Sequence, residues 1–517
     1  MLMGDVVRTN ASRTPHDIAL VDGSVRLPWH ELERSTNQFA NALSQLGVAR
    51  GERVALLARN CHEWLTIWVG AAKAGALFVP LTKTMRMDEV VWTVNHCEAA
   101  VLVVGEHFIS MVKAALPQLT HVRLHIGLGS DSESGVLSYR DVLSGQSVEE
   151  PSSRPSENDP VRVVYSTGST GRPKGIILTH RQVVHSALVT ALGMRHRDDD
   201  IRLIYGPMSH NGGMGPALST WIVGGRIVLH DGFDAQRALE DIEREGVTTF
   251  TGFPSVLQAL GAHPDFGRFS KSSLRTISIA GTAMAHRNFE EAMKLFPGVE
   301  FQHSYGATEG GGLSTVNFCG DATVPITSVG KPLPGIEIRI CDERGIPQPA
   351  GAVGEICLKT DSVMAGYYRD PDETERALRN GWLHTGDLGS MDQSGHFYVS
   401  GRLKDIVKSG GESISPLEVE EILQQHPWVR EVAVLGVPDD KWGEAVVAVI
   451  VPVPGHSLSY GDLARFCDAS LSSFKRPKRV YLVDSLPRSA ALDKVLRGEL
   501  RQQIVSGALD ADRLLSP

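Results

Sequence analysis

The stretch YSTGSTGRPKG (165–175) combines three glycines, a proline, a lysine and four serine or threonine hydroxyls. It follows the apolar run VRVV (161–164), so it is expected to leave the end of a short buried strand. Glycines let backbone N–H groups approach an anion, hydroxyls add donors, and Lys174 supplies positive charge. The stretch therefore predicts a loop that binds a polyphosphate.

This loop has two other possible interpretations. The Walker A template G-x-x-x-x-G-K-[ST] fails, because from Gly168 it places Pro173 at the second glycine, and Gly175 follows Lys174. An ordinary surface turn has the same composition, since glycine, serine, threonine and proline all favour turns. Composition alone leaves the phosphate loop and the surface turn equally open.

The order Ser-Thr-Gly-Ser-Thr-Gly-Arg-Pro-Lys-Gly resembles the phosphate loop of the adenylate-forming superfamily, which includes acyl- and aryl-CoA synthetases, firefly luciferase and peptide-synthetase adenylation domains. Further motifs follow in that family's order over nearly the whole chain. Serine at position 169 replaces the more usual threonine and keeps the hydroxyl. The resemblance assigns ATP binding to Ser166, Thr167, Gly168, Ser169, Thr170, Gly171 and Lys174.

Composition sets the broad class. The 517 residues are too many for one compact core, while 42% hydrophobic and 21% charged residues are typical of a soluble globular protein. A net charge of −9 without a long basic run argues against nucleic acid as a partner. The six scattered cysteines form no C-x-x-C pair and have no histidine nearby at metal-ligand spacing, so they predict reduced thiols in a cytoplasmic protein. No secretory signal or membrane span is expected.

Three successive sequence patterns along the chain predict the architecture. Helical and strand patterns alternate in the first part, as in the helix pattern of 30–47 and the strand pattern of 53–60, which predicts a doubly wound α/β sheet. A polar, proline-rich stretch at 151–160 predicts a linker or exposed loop, and 329–360 predicts a small β-rich subdomain. After Gly401 a small α/β module follows.

The family resemblance implies the same organisation in more detail. The fold class is α/β, with a large N-terminal domain of two α/β sheet subdomains plus a small β-barrel-like subdomain, followed by a small mobile α+β C-terminal domain. We expect the N-terminal adenylation domain, with the ATP and acyl sites, at 1–400. The C-terminal domain at 401–517 is expected to carry the hinge, the catalytic lysine and the CoA contacts.

The motif QHSYGATE (302–309) follows a strand expected to end at Phe301. The motif places an aromatic ring, a hydroxyl and a carboxylate side by side. This combination is explained if Tyr305 stacks on adenine, Thr308 donates to a phosphate and Glu309 binds Mg²⁺. A plain strand-to-turn connection is the alternative. By resemblance the same segment adds two residues to the ATP site, Ser304 and Gly306, and two to the acyl pocket, His303 and Gly306.

Two further glycine-containing stretches are assigned to the nucleotide site by resemblance. SIAGTAMA (278–285) would line the adenine and acyl pockets with Gly281 and Thr282, and HTGDLG (384–389) would present Asp387 after a glycine turn. A carboxylate accepts paired hydrogen bonds from a ribose diol, as in dinucleotide sites. The alternative for both stretches is an ordinary tight turn.

The stretch GRLKDIVKSGGESISPLEVEE (401–421) resembles the family's hinge motif. The resemblance implies that Arg402 contacts ribose, that Lys404 is the pivot between domains and that Lys408 enters the site in the second half-reaction. The glycine pair Gly410 and Gly411 suits close passage of a slender ligand such as pantetheine. A solvated charge cluster is the alternative.

The catalytic lysine is assigned to LPRSAALDKVLRGEL (486–500), where Lys494 matches the family residue that bridges the attacking carboxylate and the α-phosphate. The stretch departs from the family's Pro-Arg-x-x-x-Gly-Lys, because it has one extra residue and Asp493 in place of the glycine. An acid beside the lysine would weaken its attraction for phosphate.

The acyl pocket is assigned to YGPMSHNGGMG (205–215), with His210, Asn211 and Gly212 as its lining. Amino-acid-activating relatives have an aspartate in this motif, and its absence here disfavours an α-amino acid. Space beside Gly310 and Gly311, together with the following glycine, would suit a bulky apolar acid.

The acceptor is expected to be CoA, with a carrier protein as the less favoured option. By resemblance, the stretches DKWGE (440–444) and SFKRPKR (473–479) contact its adenine and 3′-phosphate, because a basic cluster beside an aromatic ring suits such a ligand. The alternatives are that Trp442 is a buried core residue and that the basic cluster is a solvated turn. The CoA contacts are assigned to Gly410, Gly411, Trp442, Phe474, Lys475 and Arg476.

The motifs together predict an AMP-forming acyl- or aryl-CoA synthetase that uses ATP, Mg²⁺ and CoA on a small carboxylic acid. One alternative is an enzyme that only adenylates and passes the acyl group to a carrier protein or partner enzyme. The other is a non-catalytic nucleotide- or acyl-binding protein. The acid, the pathway and the oligomeric state stay open, with a homodimer as one option.

Overall fold

The computed structural model describes residues 1–129, 135–166, 173–280, 286–319, 324–468, 470–488, 495–509 and 514–515, and for 286–288 it describes the backbone alone. The helices, in chain order, are α1 (Met3–Arg13), α2 (Trp29–Gln45), α3 (His62–Lys73), α4 (Met87–His96), α5 (Ile109–Ala115), α6 (Tyr139–Leu143), α7 (His180–Gly193), α8 (Asn211–Trp221), α9 (Ala235–Glu245), α10 (Pro254–Gly261), α11 (His286–Leu295), α12 (Pro371–Ala377), α13 (Pro416–Leu423), α14 (Tyr460–Asp468) and α15 (Arg497–Val505).

The strands are β1 (Ile18–Asp22), β2 (Val25–Pro28), β3 (Arg53–Leu57), β4 (Leu77–Leu81), β5 (Ala99–Val104), β6 (Leu124–Gly127), β7 (Leu137–Ser138), β8 (Pro160–Ser166), β9 (Lys174–Thr179), β10 (Ile201–Ile204), β11 (Arg226–Leu229), β12 (Thr249–Thr251), β13 (Thr276–Ala280), β14 (Glu300–Ala307), β15 (Gly312–Cys319), β16 (Lys331–Pro332), β17 (Glu337–Cys341), β18 (Gly354–Lys359), β19 (Gly366–Tyr367), β20 (Leu378–Arg379), β21 (Trp382–Met391), β22 (Phe397–Arg402), β23 (Val407–Ser409), β24 (Glu412–Ile414), β25 (Val429–Asp439), β26 (Gly443–Pro452), β27 (Arg479–Leu482) and β28 (Leu514–Leu515).

Two large mixed sheets form the first part of the chain. One has the order β16-β15-β14-β13-β12-β10-β11-β1-β2, and the other β19-β9-β8-β4-β3-β5-β6-β7. A single hydrophobic core joins strands of both sheets to helices α2, α3 and α8, with four fully buried tryptophans: Trp29, Trp64, Trp68 and Trp221. The helices bury apolar faces against parallel strands, which confirms the predicted α/β class.

The predicted β-rich subdomain is a separate antiparallel sheet. Its strands run in the order β17-β18-β21-β20, and β22 pairs with the other side of β21. It is attached to the first large sheet where Val329 N–H donates to Phe397 O at 2.9 Å. This small sheet therefore carries residues of β21 and β22 to the edge of the larger one.

The C-terminal part has its own sheet and core. The order is β24-β23-β26-β27-β28, with β25 against β26, and helices α13, α14 and α15 cover it. A mixed sheet with helices confirms the predicted small α+β domain. The domain boundary between residues 400 and 401 stays a prediction. Among the helices in the described ranges, none has the length and apolar character that a bilayer crossing requires.

Candidate active site

The phosphate-loop stretch connects two antiparallel strands. Ser166 at the end of β8 pairs with Lys174 at the start of β9, so the predicted strand before the loop is confirmed. The residues at the tip of the loop lie outside the described residues. These include five of the predicted ATP-binding positions, namely Thr167, Gly168, Ser169, Thr170 and Gly171.

Lys174 forms an ion pair that the sequence analysis missed. Its Nζ lies 2.5 Å from Glu373 Oε1 on α12 and 5.3 Å from the centre of the Tyr367 ring. The side chain is only 16% exposed, so the pair is partly shielded from solvent. Lys174 is therefore held toward α12, and Glu373 is a competitor for any phosphate that the lysine binds.

The side chains predicted to hold the nucleoside form one chain of contacts. The Tyr305 hydroxyl donates to Asp387 Oδ2 at 2.8 Å, and Arg402 Nε forms an ion pair with Asp387 Oδ1 at 2.9 Å. Tyr305 and Asp387 are both buried, and burial together with the neighbouring carboxylate raises the pKa of Tyr305 well above its usual value. The fold thus brings together three residues that lie up to 97 positions apart in the sequence.

The local structure around Tyr305 differs from the prediction. The strand does not end at Phe301, because β14 runs through the motif to Ala307 and pairs antiparallel with β15. Gly306 allows this close pairing: a Cβ there would lie 2.7 Å from Leu313 Cα and closer still to the Gly312 carbonyl oxygen. The motif is therefore strand as far as Ala307, and its last two residues, Thr308 and Glu309, begin the hairpin turn.

Asp387 also lies within a strand rather than after a turn. It is part of β21, where Glu355 pairs with Leu388 and Cys357 pairs with His384, so β21 has extra residues opposite β18. Gly386 adopts a φ of +71° inside this bulge. The glycine of the motif is therefore needed to form a bulge, which turns Asp387 toward Tyr305.

Glu309 lies at the β14–β15 turn, close to the same group. Its Oε1 accepts a hydrogen bond from the Tyr367 hydroxyl at 3.2 Å. Burial lowers the pKa of Arg402, but the charges of Asp387 and Glu309 outweigh that effect and the pKa is raised. Within the described part of the chain, no lysine or arginine forms an ion pair with Glu309. A half-buried carboxylate of this kind fits the oxygen ligands that Mg²⁺ prefers.

The predicted acyl-pocket residues lie at the start of α8, beside the same turn. His210 Nε2 is 3.2 Å from Thr82 Oγ1. Asn211 Nδ2 donates to Gly311 O at 3.3 Å, and Asn211 Oδ1 accepts from Arg162 Nη2 at 3.0 Å. The loop before α8 is thus linked to the β14–β15 turn, while Gly212 is exposed.

The glycines of this turn do not provide pocket space, contrary to the expectation. A Cβ on Gly310 would lie 3.1 Å from Leu358 Cδ1, and one on Gly311 would lie 2.8 Å from Ser362 Cβ and closer still to Ser362 O. A Cβ on Gly312 would lie 2.8 Å from Ser186 Oγ. Since neighbouring chain fills the space beside them, these glycines allow close packing and give no argument for a bulky acid.

His303 and Ser304 are buried and bonded to backbone carbonyls. Ser304 Oγ donates to Ile279 O at 3.2 Å, and His303 Nδ1 lies 3.1 Å from Ser328 O. Burial lowers the pKa of His303. Their side chains therefore hold β14 in place. The other wall residues predicted from the sequence, Gly281 and Thr282, lie outside the described residues.

The predicted hinge follows β22 directly. Lys404 is exposed in a single 3₁₀ turn (Leu403–Asp405), and Ser415 Oγ donates to Ser400 O across the two sides of this segment. Beyond it, Gly410 and Gly411 have φ of +59° and +87° and connect β23 to β24. The glycine pair therefore has a local reason, a two-residue hairpin turn, that the sequence analysis did not consider.

Basic side chains surround Trp442 in the C-terminal sheet. The Nζ atoms of Lys441 and Lys478 lie 4.9 and 5.3 Å from its ring centre, and the ring covers Gly410. Burial, followed by the charges of Arg476 and Lys441, lowers the pKa of Lys478. Both lysines lie in the two stretches predicted to contact CoA, although only Trp442, Phe474, Lys475 and Arg476 were assigned there by residue.

The remaining predicted positions are more dispersed. Lys475 Nζ lies 5.7 Å from the Phe474 ring centre and forms an ion pair of 2.5 Å with Glu418, and Arg476 is paired with Asp468. Lys408 Nζ donates to Ser413 Oγ at 2.7 Å. The predicted catalytic lysine, Lys494, lies outside the described residues.

Comparisons with known proteins agree with this geometry. The model of the AMP-binding enzyme family matches residues 7–368, and that of the AMP-binding enzyme C-terminal domain matches 418–491. A feruloyl-CoA synthase of Amycolatopsis sp is 34% identical, covering 95% of this chain and 97% of that protein. A fatty acid–[acyl-carrier-protein] ligase of Streptomyces coeruleorubidus is 33% identical, covering 96% and 95%.

The solved structures include an equally extensive match. The anthranilate CoA ligase AuaEII, in complex with anthranoyl-AMP, superposes with a TM-score of 0.90 at 29% identity, covering 98% of each chain. The match spans both the large and the small domain, as do the two family models. The chain therefore belongs to the family of AMP-binding enzymes.

Proposed function

We propose that this protein activates a carboxylic acid with ATP to an acyl-adenylate and then transfers the acyl group to CoA, releasing AMP and pyrophosphate. The observation that carries the proposal is the contact chain Tyr305–Asp387–Arg402, with Glu309 beside it. A buried carboxylate that already accepts a hydrogen bond and pairs with a guanidinium is suited to accept the hydrogen bonds of a ribose diol.

In the first half-reaction the protein positions two anions, the carboxylate and the triphosphate. Lys174 exchanges Glu373 for a phosphate, Thr308 donates to a phosphate oxygen, and Tyr305 lies against the adenine. Lys494 neutralises charge that develops between the acid and the α-phosphate. Glu309 is the residue that would hold Mg²⁺, which neutralises phosphate charge when bound.

In the second half-reaction the C-terminal domain turns about Lys404. The rotation withdraws Lys494 and brings Lys408 and the hairpin turn of Gly410 and Gly411 to the same site. The thiolate of CoA attacks the acyl carbonyl, and the bond to AMP breaks. The exposed position of Lys404 between β22 and β23 supports this role.

We propose an apolar acid, aromatic or long-chain, as the substrate. The motif at 205–215 has no carboxylate to hold an α-ammonium group. Relatives are named for ferulate, indoleacetate and fatty acids, and the AuaEII structure contains anthranoyl-AMP. The pocket proposed here is lined by His210, Asn211 and the end of β14.

CoA is favoured as the acceptor by the basic surroundings of Trp442. Lysines on both sides of an aromatic ring suit a ligand with an adenine and several phosphates. One relative is named for an acyl carrier protein, so transfer to a carrier is the alternative to be tested. Cytoplasmic location and a homodimeric state stay predictions.

The test is pyrophosphate release with ATP, Mg²⁺ and a panel of aliphatic, aromatic and polycyclic acids, each with and without CoA. We expect one class of acid to give turnover that requires CoA and yields the thioester. If pyrophosphate is released but the acyl-adenylate persists after CoA is added, the protein catalyses only the adenylation step. Binding of ATP without pyrophosphate release for any acid would contradict both.

A further inference from the structure

Four side chains that the proposed reaction does not use lie on one face of the small antiparallel sheet formed by β17, β18, β21, β20 and β22. Cys341 is on β17, Glu355 and Cys357 are on β18, and His384 is on β21. Cys341 is directly opposite Glu355, and Cys357 is directly opposite His384. Since opposite residues of paired strands, and alternate residues of one strand, share a face, all four side chains point to the same side.

The distances within this cluster are those of potential ligands. The Cys357 Sγ lies 3.5 Å from His384 Nδ1, which lies 2.7 Å from Glu355 Oε2. One ligand atom from each of these three residues falls within 4.8 Å of the others. One sulfur, one imidazole nitrogen and one carboxylate oxygen therefore converge, and Cys341 lies on the same face, directly opposite Glu355 on the neighbouring strand.

The polar groups of this cluster are more deeply buried than is usual for polar side chains. Both cysteines have 0% exposure, and the His384 side chain is 5% exposed. His384 Nδ1 faces the Glu355 carboxylate, the Cys357 thiol and, at 2.9 Å, Arg379 Nη2. One ring nitrogen has a single bonding position, so it cannot satisfy these three neighbours at once. Buried polar groups of this kind carry a free-energy cost unless they are fully bonded.

We propose that Glu355, Cys357 and His384 bind one Zn²⁺ ion, with Cys341 on the neighbouring strand turning in as the fourth ligand. Thiolate, imidazole and carboxylate groups in a closed tetrahedral arrangement are typical ligands of structural zinc. Zinc–sulfur and zinc–nitrogen bonds at a tetrahedral angle place the two ligand atoms about 3.6 Å apart. The observed 3.5 Å between Cys357 Sγ and His384 Nδ1 agrees with this value.

The hydrogen bond between Glu355 and His384 must open on binding. Their ligand atoms move from 2.7 Å to about 3.4 Å apart in a tetrahedral site, a change that side-chain rotation provides. The other carboxylate oxygen, Glu355 Oε1, accepts from Gly386 N–H at 2.9 Å, which orients the ligand.

The charges of the site also balance. Two thiolates and a carboxylate around a dication leave one negative charge, and the guanidinium of Arg379 lies 3.7 Å from Glu355. Because thiols bind zinc in their deprotonated form, zinc binding releases protons and weakens as the pH falls.

The proposed ion would stabilise the strands that carry the nucleotide site. His384 precedes Asp387 by three residues on β21, and Glu355 already bonds the intervening Gly386. A metal that joins β17, β18 and β21 would hold the bulge in its conformation. Its role is structural, and it does not touch the reacting atoms.

The test measures zinc bound by the purified full-length protein, kept under a thiol reductant, loaded with zinc sulfate and desalted. We expect one zinc per chain by elemental analysis. Cys357→Ser and His384→Asn should each weaken binding on the order of 100-fold or more against a chromophoric chelator. Cys467→Ser, which changes an equally buried cysteine on α14, should retain the metal.

A second readout uses Co²⁺ in place of zinc. Wild-type protein should develop a thiolate-to-cobalt charge-transfer absorption that Cys341→Ser reduces and Cys357→Ser abolishes. If the wild-type protein binds neither zinc nor cobalt, the proposal is overturned. This result does not depend on whether the variants fold. Full zinc binding by His384→Asn would also overturn it, as would a Cys341–Cys357 disulfide found by mass spectrometry in the reduced, metal-loaded sample.

Discussion

At the scale of single residues, the site is built from side chains whose present partners resemble those of a bound nucleotide. Asp387 accepts a hydrogen bond from Tyr305 and is paired with Arg402, and Lys174 is paired with Glu373. Each of these charged groups is satisfied before any ligand arrives, because an unpaired buried charge would be costly. Nucleotide binding at such a site is an exchange of partners.

Asp387→Asn tests the proposed ribose contact. The amide keeps the shape but loses the charge, and charge-assisted hydrogen bonds contribute about 1.5–3 kcal/mol. We expect KM for ATP to rise about 10- to 100-fold, as measured by initial-rate pyrophosphate release. Asp392→Asn, on the turn after β21, is the matched control and should leave KM unchanged. An unchanged KM in Asp387→Asn would exclude the contact.

Glu373→Gln tests the competition for Lys174. Without the carboxylate, Lys174 no longer has to leave an ion pair in order to bind phosphate. Partly shielded ion pairs are weak, so we expect a several-fold decrease in KM for ATP, consistent with about 1 kcal/mol. Glu375→Gln on the exposed side of the same helix is the control. A rise in KM would mean that Glu373 positions Lys174 for catalysis instead of competing for it.

At the scale of elements, the nucleotide site depends on two strands that continue through motifs expected to be turns. β14 extends to Ala307, and β21 extends through a bulge to Met391. The first strand was predicted to end at Phe301, because the glycine and polar residues of the motif are typical of turns. Pairing partners far along the chain override that local preference.

Gly306→Ala tests the close pairing of β14 with β15. A Cβ at this position meets the backbone of Gly312 and Leu313, which cannot move without separating the strands. We expect a loss of about 1–3 kcal/mol in the free energy of unfolding, together with weaker adenylation. Gly498→Ala, on α15 where nothing lies within 4 Å of the new Cβ, should be neutral or stabilising. Denaturant unfolding of both variants decides the point.

At the scale of the whole molecule, two domains with separate cores carry different parts of the proposed chemistry. The residues proposed to contact the nucleotide lie on the two large sheets and the small antiparallel sheet, whereas Trp442 and its lysines lie on the C-terminal sheet. A short segment around Lys404 connects them. This arrangement predicts that variants separate the two half-reactions.

Lys494→Ala should abolish adenylate formation and spare thioester formation from supplied acyl-adenylate. Lys478→Ala should do the reverse, because it removes one cation from the ring of Trp442: KM for CoA rises by about tenfold and adenylation is unchanged. Single-turnover measurements of each half-reaction give both values. Equal loss of both steps in either variant would refute the division of labour.

The sequence by itself determined the fold class, the order of the motifs and which side chains are proposed for the nucleotide site. Alternating helix and strand patterns and short motifs are local properties, and the structure confirms the helix near 30–47 and the strand before the phosphate loop. The identity of Tyr305, Asp387 and Arg402 was also available from the motifs.

Only the tertiary structure decided which groups meet. Three sets of contacts join distant segments of the chain. These are the ion pair of Lys174, the packing beside Gly310 and Gly311, and the placement of Cys341, Cys357 and His384 on one face of a sheet. Spacing along the chain cannot reveal such contacts, because strand register sets them. One shift of register would move every side chain to the opposite face of its sheet.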